Sequence, residues 1–188
     1  MKKEIEENIL RSSSIIKESI SLSSDIEEAV TIIVNCLKNG NKIILFGNGG
    51  SAADAQHIAA EFIGRFQKER KSYPAISLTS DSSVITSLSN DYSFDSIFSR
   101  QCESLVNVND VVIGISTSGN SSNIIAAIKQ AKYKGLKTIS FTGKTGGKLN
   151  GLSDVTIYVP SENTQRIQEG HIMIGQIICG LIEDNFSN

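Results

Sequence analysis

The chain has 188 residues, of which 39% are hydrophobic and 20% charged, with 18 basic against 20 acidic side chains. This length suits one domain with its own core, and a formal charge of −2 argues against an electrostatic nucleic-acid binder. The three cysteines are widely spaced and form no C-x-x-C pair, which argues against a disulfide framework or a cysteine zinc site and fits a reducing compartment.

We expect neither a signal peptide nor a membrane span in this sequence. The first ten residues alternate charged and apolar side chains without a continuous apolar run, so no signal peptide is expected. The longest apolar stretch, Ile172 to Ile182, falls short of the roughly 20 residues needed to span a bilayer. We therefore expect a cytoplasmic protein with no membrane partner.

Residues 1–40 predict two helices. In residues 1–23 isolated isoleucines recur at helical spacing, and this thin apolar stripe favours a role in contacts between subunits. In the second helix Ser24 and Glu27 form a capping-box pattern, and Gly40 lies where a helix-ending residue is expected. Its apolar face is formed by Ile26, Val30, Ile33, Val34 and Leu37.

From residue 41 onward the pattern changes to short apolar runs, most of them separated by helical stretches. Buried strands are expected at residues 42–46, 75–78, 111–115, 137–141 and 154–159. Strands that are apolar on both faces and alternate with helices are typical of a parallel sheet covered on both sides. The sequence therefore predicts one α/β domain over residues 1–188. It would be a three-layer αβα, doubly wound, five-stranded parallel sheet (41–188) with an N-terminal helical extension (1–40) used in oligomerisation.

Two loops rich in glycine and serine follow predicted strands. The first, 47-GNGGSAADAQH-57, leads from a strand into a helix and offers glycine backbone, the hydroxyl of Ser51 and a helix N-terminus. The second, 114-GISTSGNSSN-123, clusters hydroxyl groups at the start of another helix: Ser116, Thr117, Ser118 and Ser121. Together the loops suit a phosphate bound without a lysine or a metal. Ordinary connectors and helix caps would have a similar composition, and that alternative stays open.

The first loop also satisfies the dinucleotide pattern G-x-G-x-x-A through Gly47, Gly49 and Ala52. That pattern requires an acidic residue at the end of the next strand, about 20 positions on. Here the strand ends near Leu78 and the nearest acid is Asp81, which comes too late. No G-K-[ST] follows either, so the sequence favours a sugar phosphate over a dinucleotide.

Several polar residues could carry chemistry. His57 and Glu61 project from one face of a helix, where they could bind a divalent metal or place a base beside an imidazole. An ordinary surface pair is the alternative. In the C-terminal helix, about 163–184, the apolar stripe is interrupted by Gln168, His171 and Gln176, which either line a site or are satisfied core residues. Asn90 and Asp91, in a loop after residues 79–89, are candidates that turn chemistry explains equally well.

Long blocks of the sequence resemble the sugar isomerase (SIS) domain family, and within it the phosphoheptose isomerases, over almost the whole chain. The blocks are 46-FGNGGSAADAQHIAAEF-62, 74-PAISLTSD-81, 90-NDYSFDSIFSRQ-101, 112-VIGISTSGNSSNI-124, 142-TGKTGGKL-149 and 166-RIQEGHIMIG-175. The resemblance implies conversion of sedoheptulose 7-phosphate into D-glycero-D-manno-heptose 7-phosphate, for the heptoses of lipopolysaccharide and other surface glycans. It also implies a homotetramer with sites shared between subunits, and in many members a bound zinc ion.

Carried over by position, the resemblance assigns residues to roles. Glu61 is expected to act as the base of an aldose–ketose isomerisation through an enediolate. Metal positions fall on His57, Glu61, Gln168 and Gln176. Substrate-binding positions fall on Asn48, Gly49, Gly50, Ser51, Glu61, Asn90, Asp91, Ser116, Thr117, Ser118, Ser121 and Gln168, with the serines taking the phosphate.

Gln176 departs from the family pattern. The resemblance places there a histidine that is both a metal ligand and the catalytic acid, whereas an amide ligates weakly and cannot carry a proton at neutral pH. Zinc binding is therefore expected to be weakened. The alternative is a non-catalytic SIS-domain protein that binds a sugar phosphate or associates with a replication initiator. Because His57 and Glu61 are retained, the sequence favours the enzyme.

Overall fold

The computed structural model describes residues 1–186, and its centre is a sheet of five parallel strands in the order β2-β1-β3-β4-β5. The strands are β1 Ile43–Gly47, β2 Ala75–Ser77, β3 Val111–Ile115, β4 Lys137–Gly143 and β5 Val155–Val159. Each lies within two residues of its predicted bounds. The parallel, five-stranded sheet is confirmed.

Helices cover both faces of the sheet. They are α1 Lys2–Glu18, α2 Ser23–Lys38, α3 Gly50–Ile63, α4 Ser82–Asp91, α5 Ile97–Leu105, α6 Ser122–Tyr133 and α7 Thr164–Phe186. Ile43 and Leu45 of β1 pack toward α2, α3 and α7, while Ile44 and Phe46 pack toward α5 and α6. Because neighbouring strand residues point to opposite faces, both sides of β1 must be apolar, and the three-layer architecture follows.

The N-terminal segment contains one wrong prediction. A 3₁₀ turn at Ser19–Leu22 leads directly into α2, so that Leu22 occupies the N-cap position and no side chain caps the helix. The capping box of Ser24 and Glu27 does not form, because a capping residue needs extended backbone and the chain enters α2 already coiled. The predicted apolar face of α2 is buried, and Gly40 has the expected positive φ of 75°.

α1 differs from the other long helices in its surroundings. None of its residues is buried, and the isoleucines that gave it a helical pattern, Ile5, Ile9 and Ile16, are exposed. Over residues 1–186 no helix is both long and apolar enough to cross a bilayer.

The strand order places a crevice between β1 and β3. The helix that follows β1, α3, lies on one face of the sheet, and the helix that follows β3, α6, lies on the other. Phe46 is paired with Gly114 and Gly47 with Ile115, so both strands end at the same level. In doubly wound sheets ligands bind at this switch point, outside the carboxyl ends of the strands.

Candidate active site

Two loops meet at the switch point: the glycine loop, residues 47–51 after β1, and the serine loop, residues 116–121 after β3. Asn48 of the glycine loop is tied to Asn123, the second residue of α6, because the two side-chain amides donate to each other's oxygens at 2.9 Å. The expected juxtaposition of the loops is thereby confirmed. Asn123 was not among the predicted residues.

The serine loop leaves the N-terminus of α6 free of side-chain caps. Ser121 is the N-cap residue but makes no cap hydrogen bond, and its Oγ lies instead 3.2 Å from Oγ of Ser116. In the described chain, the N–H groups of residues 121–123 donate no hydrogen bond. Free N–H groups and the helix dipole together suit an anion. The helix-cap alternative for these serines is therefore not realised.

The segment after β4 holds the serine loop in place. Gly119 has a φ of 64°, and a Cβ on it would overlap the carbonyl oxygen of Gly146. The N–H of Leu149 donates to the carbonyl of Gly119 at 3.0 Å, and that of Gly143 donates to Thr117 at 3.1 Å. The family block 142–149 is thus the outer support of the serine loop.

The glycine loop receives Gln168 from α7. A Cβ on Gly50 would overlap Nε2 of Gln168, so the amide lies directly against the backbone of the loop. Because Gly50 is the first residue of α3, this contact brings the C-terminal helix to the start of the helix that carries His57 and Glu61. Gln168, which the resemblance places among the substrate-binding and metal positions, therefore lies against the glycine loop.

His57 and Glu61 form a hydrogen-bonded pair on α3. Nε2 of His57 lies 3.0 Å from Oε1 of Glu61, with side-chain exposures of 47% and 24%. The pair lies on the helix that begins at the glycine loop and remains open to solvent. A carboxylate in this position can accept a proton from a ligand while the imidazole fixes its orientation.

The C-terminal end of α3 is held by a buried ion pair that the sequence analysis missed. Arg70 donates from Nη2 to the carbonyl of Glu61 at 2.7 Å and from Nη1 to that of Phe62 at 3.0 Å. Its Nε donates to Glu183 of α7 at 2.9 Å. Burial raises the pKa of Glu183, but hydrogen bonds from three backbone N–H groups and from Arg70 outweigh it and lower that pKa. The backbone of Glu61 is therefore held in place by Arg70.

Asp54 is a second residue that the sequence analysis missed. It is 8% exposed, and its Oδ2 is buried with no hydrogen-bond partner within the described residues. Burial raises the pKa of Asp54 to about 6, against a smaller lowering by His57. The signal was present in the sequence, since Asp54 precedes His57 by three residues and Glu61 by seven, which places all three on one side of a helix.

Asn90 and Asp91 do not lie in a loop as predicted. Asp81 caps α4 by accepting from the N–H of Val84, and the helix continues through both residues to its end at Asp91. Both are exposed, and the amide of Asn90 donates to Asp91 at 2.8 Å. The cap at Asp81 makes the serine-rich stretch helical, which explains the error.

Gln168, His171 and Gln176 have three different environments. His171 is fully buried, with Nε2 3.1 Å from the carbonyl of Thr142, and burial lowers its pKa to about 4 despite that bond. It is a core histidine, so it does not line a site in this chain. Gln176 is exposed, and no hydrogen bond in the part of the chain described joins it to His57 or Glu61. Gln176 is therefore not a core residue of this chain, and its role as a site residue stays a prediction.

The donor atoms of one chain do not fit a zinc centre. Among residues 1–186 no group of three or more His, Cys, Asp and Glu side chains is arranged to hold a metal ion. Catalytic zinc sites use three such ligands, whereas here only His57 and Glu61 are in contact. The amide of Gln168 lies against Gly50, at the N-terminal end of α3.

Comparison with known proteins agrees with this architecture. Residues 4–143 match the SIS domain family. The phosphoheptose isomerase of Aquifex aeolicus is 55% identical over 86% of this chain and 85% of its own, and that of Aliarcobacter butzleri is 50% identical over 98% and 97%. The solved structure of phosphoheptose isomerase from Neisseria gonorrhoeae superimposes with a TM-score of 0.92 at 39% identity, covering 97% of this chain and 98% of its own. This chain belongs to the SIS domain family and, within it, to the phosphoheptose isomerases.

Proposed function

We propose that the protein isomerises sedoheptulose 7-phosphate to D-glycero-D-manno-heptose 7-phosphate for the synthesis of heptose-containing surface glycans. The observation that carries this proposal is the His57–Glu61 pair on α3. This helix begins at the glycine loop, at the switch point where the free N-terminus of α6 also lies. The proposal is also supported by the two phosphoheptose isomerases above, which are 50–55% identical to this chain over most of its length and of their own.

The serine loop supplies the phosphate site in this proposal. The unbonded N–H groups at the start of α6 and the hydroxyls of Ser116, Thr117, Ser118 and Ser121 would bind the phosphate without a lysine. Asn48, Gly49, Gly50, Ser51 and Gln168 would hold the reacting end of the sugar. Phosphate contacts far from the reacting carbons supply binding energy that orients the carbonyl.

Glu61 is the base of the reaction that we propose. It takes the proton from the carbon beside the carbonyl, which yields an enediolate, and returns it to the neighbouring carbon. His57 holds the carboxylate by the 3.0 Å hydrogen bond. Asn90 and Asp91 lie at the exposed end of α4, and their contact with the substrate is proposed from the resemblance alone.

Incubation with sedoheptulose 7-phosphate in heavy water tests the function. We expect deuterium at C2 of the aldose product. Glu61→Gln should lower kcat at least about 100-fold, since a general base contributes that much. Glu69→Gln is the control: Glu69 is exposed and paired with Arg65, so this variant should keep the wild-type kcat. A folded wild-type protein that binds a sugar phosphate without turnover would instead favour the non-catalytic alternative.

Zinc remains a prediction from the resemblance. Metal content and isomerase rate measured on the same sample decide it, and Gln176→His is the informative variant. If position 176 of a partner subunit reaches His57 and Glu61, the substitution supplies a third strong ligand and should raise both zinc content and kcat. No change in either would show that position 176 stays away from the pair.

We also propose that residues 1–40 take part in a homotetramer. Exposed Ile16 and Ile20 line an apolar groove of about 740 Å³ together with Ile177 and Leu181 of α7. Light scattering should give four chains, and Ile20→Ser with Leu181→Ser should give smaller species. A cytoplasmic location remains a prediction.

A further inference from the structure

α3 begins at the glycine loop and carries three polar residues on one side: Asp54, His57 and Glu61. Gly50 lies under Gln168, Ile58 packs against Gly175 of α7, and Asp54 falls between these two contacts. Asp54 and Glu61 are seven residues apart, which places them about 20° apart around the helix axis and roughly 10 Å along it. The residue that lies between them is the partner of Glu61, His57.

Asp54 differs from a buried aspartate that stabilises the fold. Asp110 is 1% exposed and accepts from the Lys42 ammonium at 2.6 Å, from the Lys42 N–H at 3.0 Å and from the Asn107 N–H at 2.7 Å. Asp54 is 8% exposed and has no such partner in the chain as described. A buried carboxyl without partners costs stability, and such groups concentrate at functional sites.

An aldose–ketose isomerisation moves protons at two carbons and at two oxygens. Glu61 serves the carbons, so the oxygens need a second group that can carry a proton. The amides of Gln168 and Gln176 cannot do so. His171 is buried and bonded to the carbonyl of Thr142.

Within one chain, two titratable groups on α3, His57 and Asp54, remain for that role. Nε2 of His57 is bonded to Glu61, whereas the buried Oδ2 of Asp54 has no hydrogen-bond partner among residues 1–186. Resting on the proposed isomerase function, we propose that Asp54 is the second proton-transfer residue of this site and exchanges a proton with the substrate oxygens O1 and O2.

The step balances without any other reactant. Glu61 removes the C1 proton, the C1–H electron pair forms the C1=C2 bond, and the carbonyl oxygen O2 takes the proton from Asp54. The Asp54 carboxylate then removes the O1 proton, the O1–H electron pair forms the aldehyde, and C2 recovers the proton from Glu61. Burial, which raises the pKa of Asp54 to about 6, keeps both protonation states accessible near neutral pH.

Asp54→Asn tests the proposal with Asp110→Asn as the matched control. In Asp54→Asn we expect kcat to fall at least about 100-fold, KM to stay within about threefold, and Tm to be unchanged or higher, because a buried unpartnered carboxyl is replaced by a neutral isostere. In Asp110→Asn we expect the reverse: a lower Tm, because its hydrogen bonds with Lys42 and Asn107 are weakened, and a kcat close to that of the wild type.

The possible outcomes distinguish the role of Asp54 from the proposed isomerase function. Asp54→Asn that keeps its kcat, or loses as much Tm as Asp110→Asn, overturns the role of Asp54 while an active wild type leaves the isomerase intact. A folded wild type without isomerase activity overturns the proposed function first. Loss of kcat in Asp54→Asn at undiminished Tm supports the proposal.

Discussion

The side-chain amides of Asn48 and Asn123 bond to each other in both directions, at 2.9 Å, across the crevice between β1 and β3. Each amide satisfies the other, and Oδ1 of Asn123 also accepts from the N–H of Ile124 at the start of α6. The sugar-binding loop and the phosphate-binding helix proposed here are thereby held at a fixed separation.

Asn123→Ala should weaken substrate binding more than turnover. The substitution leaves Asn48 without its partner and releases the glycine loop from α6, and losing about 1 kcal/mol of such bonding should raise KM by roughly five- to tenfold. Steady-state kinetics with sedoheptulose 7-phosphate measure this. Asn185→Ala, which removes an exposed bond to Leu181 within α7, is the control and should leave KM unaltered.

Gly50→Ala should impair the site while the protein stays folded. The new methyl group would overlap the amide of Gln168 and push it away from the glycine loop. Alanine is otherwise a better helix residue than glycine, and Gly50 does not have a positive φ. We expect lower kcat/KM with Tm close to that of the wild type.

The double variant Gly50→Ala with Gln168→Ala separates two explanations of that loss. If the methyl group acts only by displacing Gln168, the double variant should be no less active than Gln168→Ala alone. A further loss in the double variant would mean that the methyl group itself occupies space the substrate needs.

The sequence predicted most of the fold because the strands are continuous apolar runs and a parallel sheet needs them. It also predicted that the glycine and serine loops meet, since both follow central strands. It could not predict that Asn90 and Asp91 lie in a helix. Their segment is helical because Asp81 caps α4, and side chains of this kind stabilise turns as well as helix starts.

Long-range contacts account for the residues that were missed. Asn123 is tied to Asn48 across 75 positions, and Arg70 to Glu183 across 113. No local pattern marks either pair. Asp54 could have been found, because its helical spacing from His57 and Glu61 is visible in the sequence.

Acid should destabilise the protein through His171. Burial lowers the pKa of His171 to about 4, below the ordinary 6.5, so the unfolded chain takes up a proton that the folded chain does not. The contribution is therefore fully present above pH 6.5 and is lost as the pH falls toward 4, by about 3 kcal/mol. Urea unfolding at pH 7, 6 and 5 measures it, and His171→Gln should flatten the slope.

Asp54 should act in the opposite direction over the same range. Its folded pKa of about 6 lies above the ordinary 3.8, so the folded chain binds the proton first and gains stability as the pH falls from 6 toward 4. Asp54→Asn should consequently steepen the acid loss of stability. A slope that is shallower in Asp54→Asn than in the wild type would contradict the raised pKa.

Glu183→Gln should destabilise the protein strongly and also slow the reaction. The ion pair of Glu183 with Arg70 has side-chain exposures of 1% and 8%, and breaking such a pair costs about 3 kcal/mol or more because a buried charge loses its partner. Arg70 bonds to the carbonyl of Glu61, so kcat per folded molecule should fall as the base loses its fixed backbone.

Lys68→Ala is the matched control for Glu183→Gln. Lys68 pairs with Asp184, the next residue of α7, but both side chains of that pair are about half exposed, and exposed pairs add little to stability. Urea unfolding and active-site-normalised kcat should both stay near the wild-type values. If Glu183→Gln lowered stability with kcat per folded molecule intact, the ion pair would support the fold alone and not the position of Glu61.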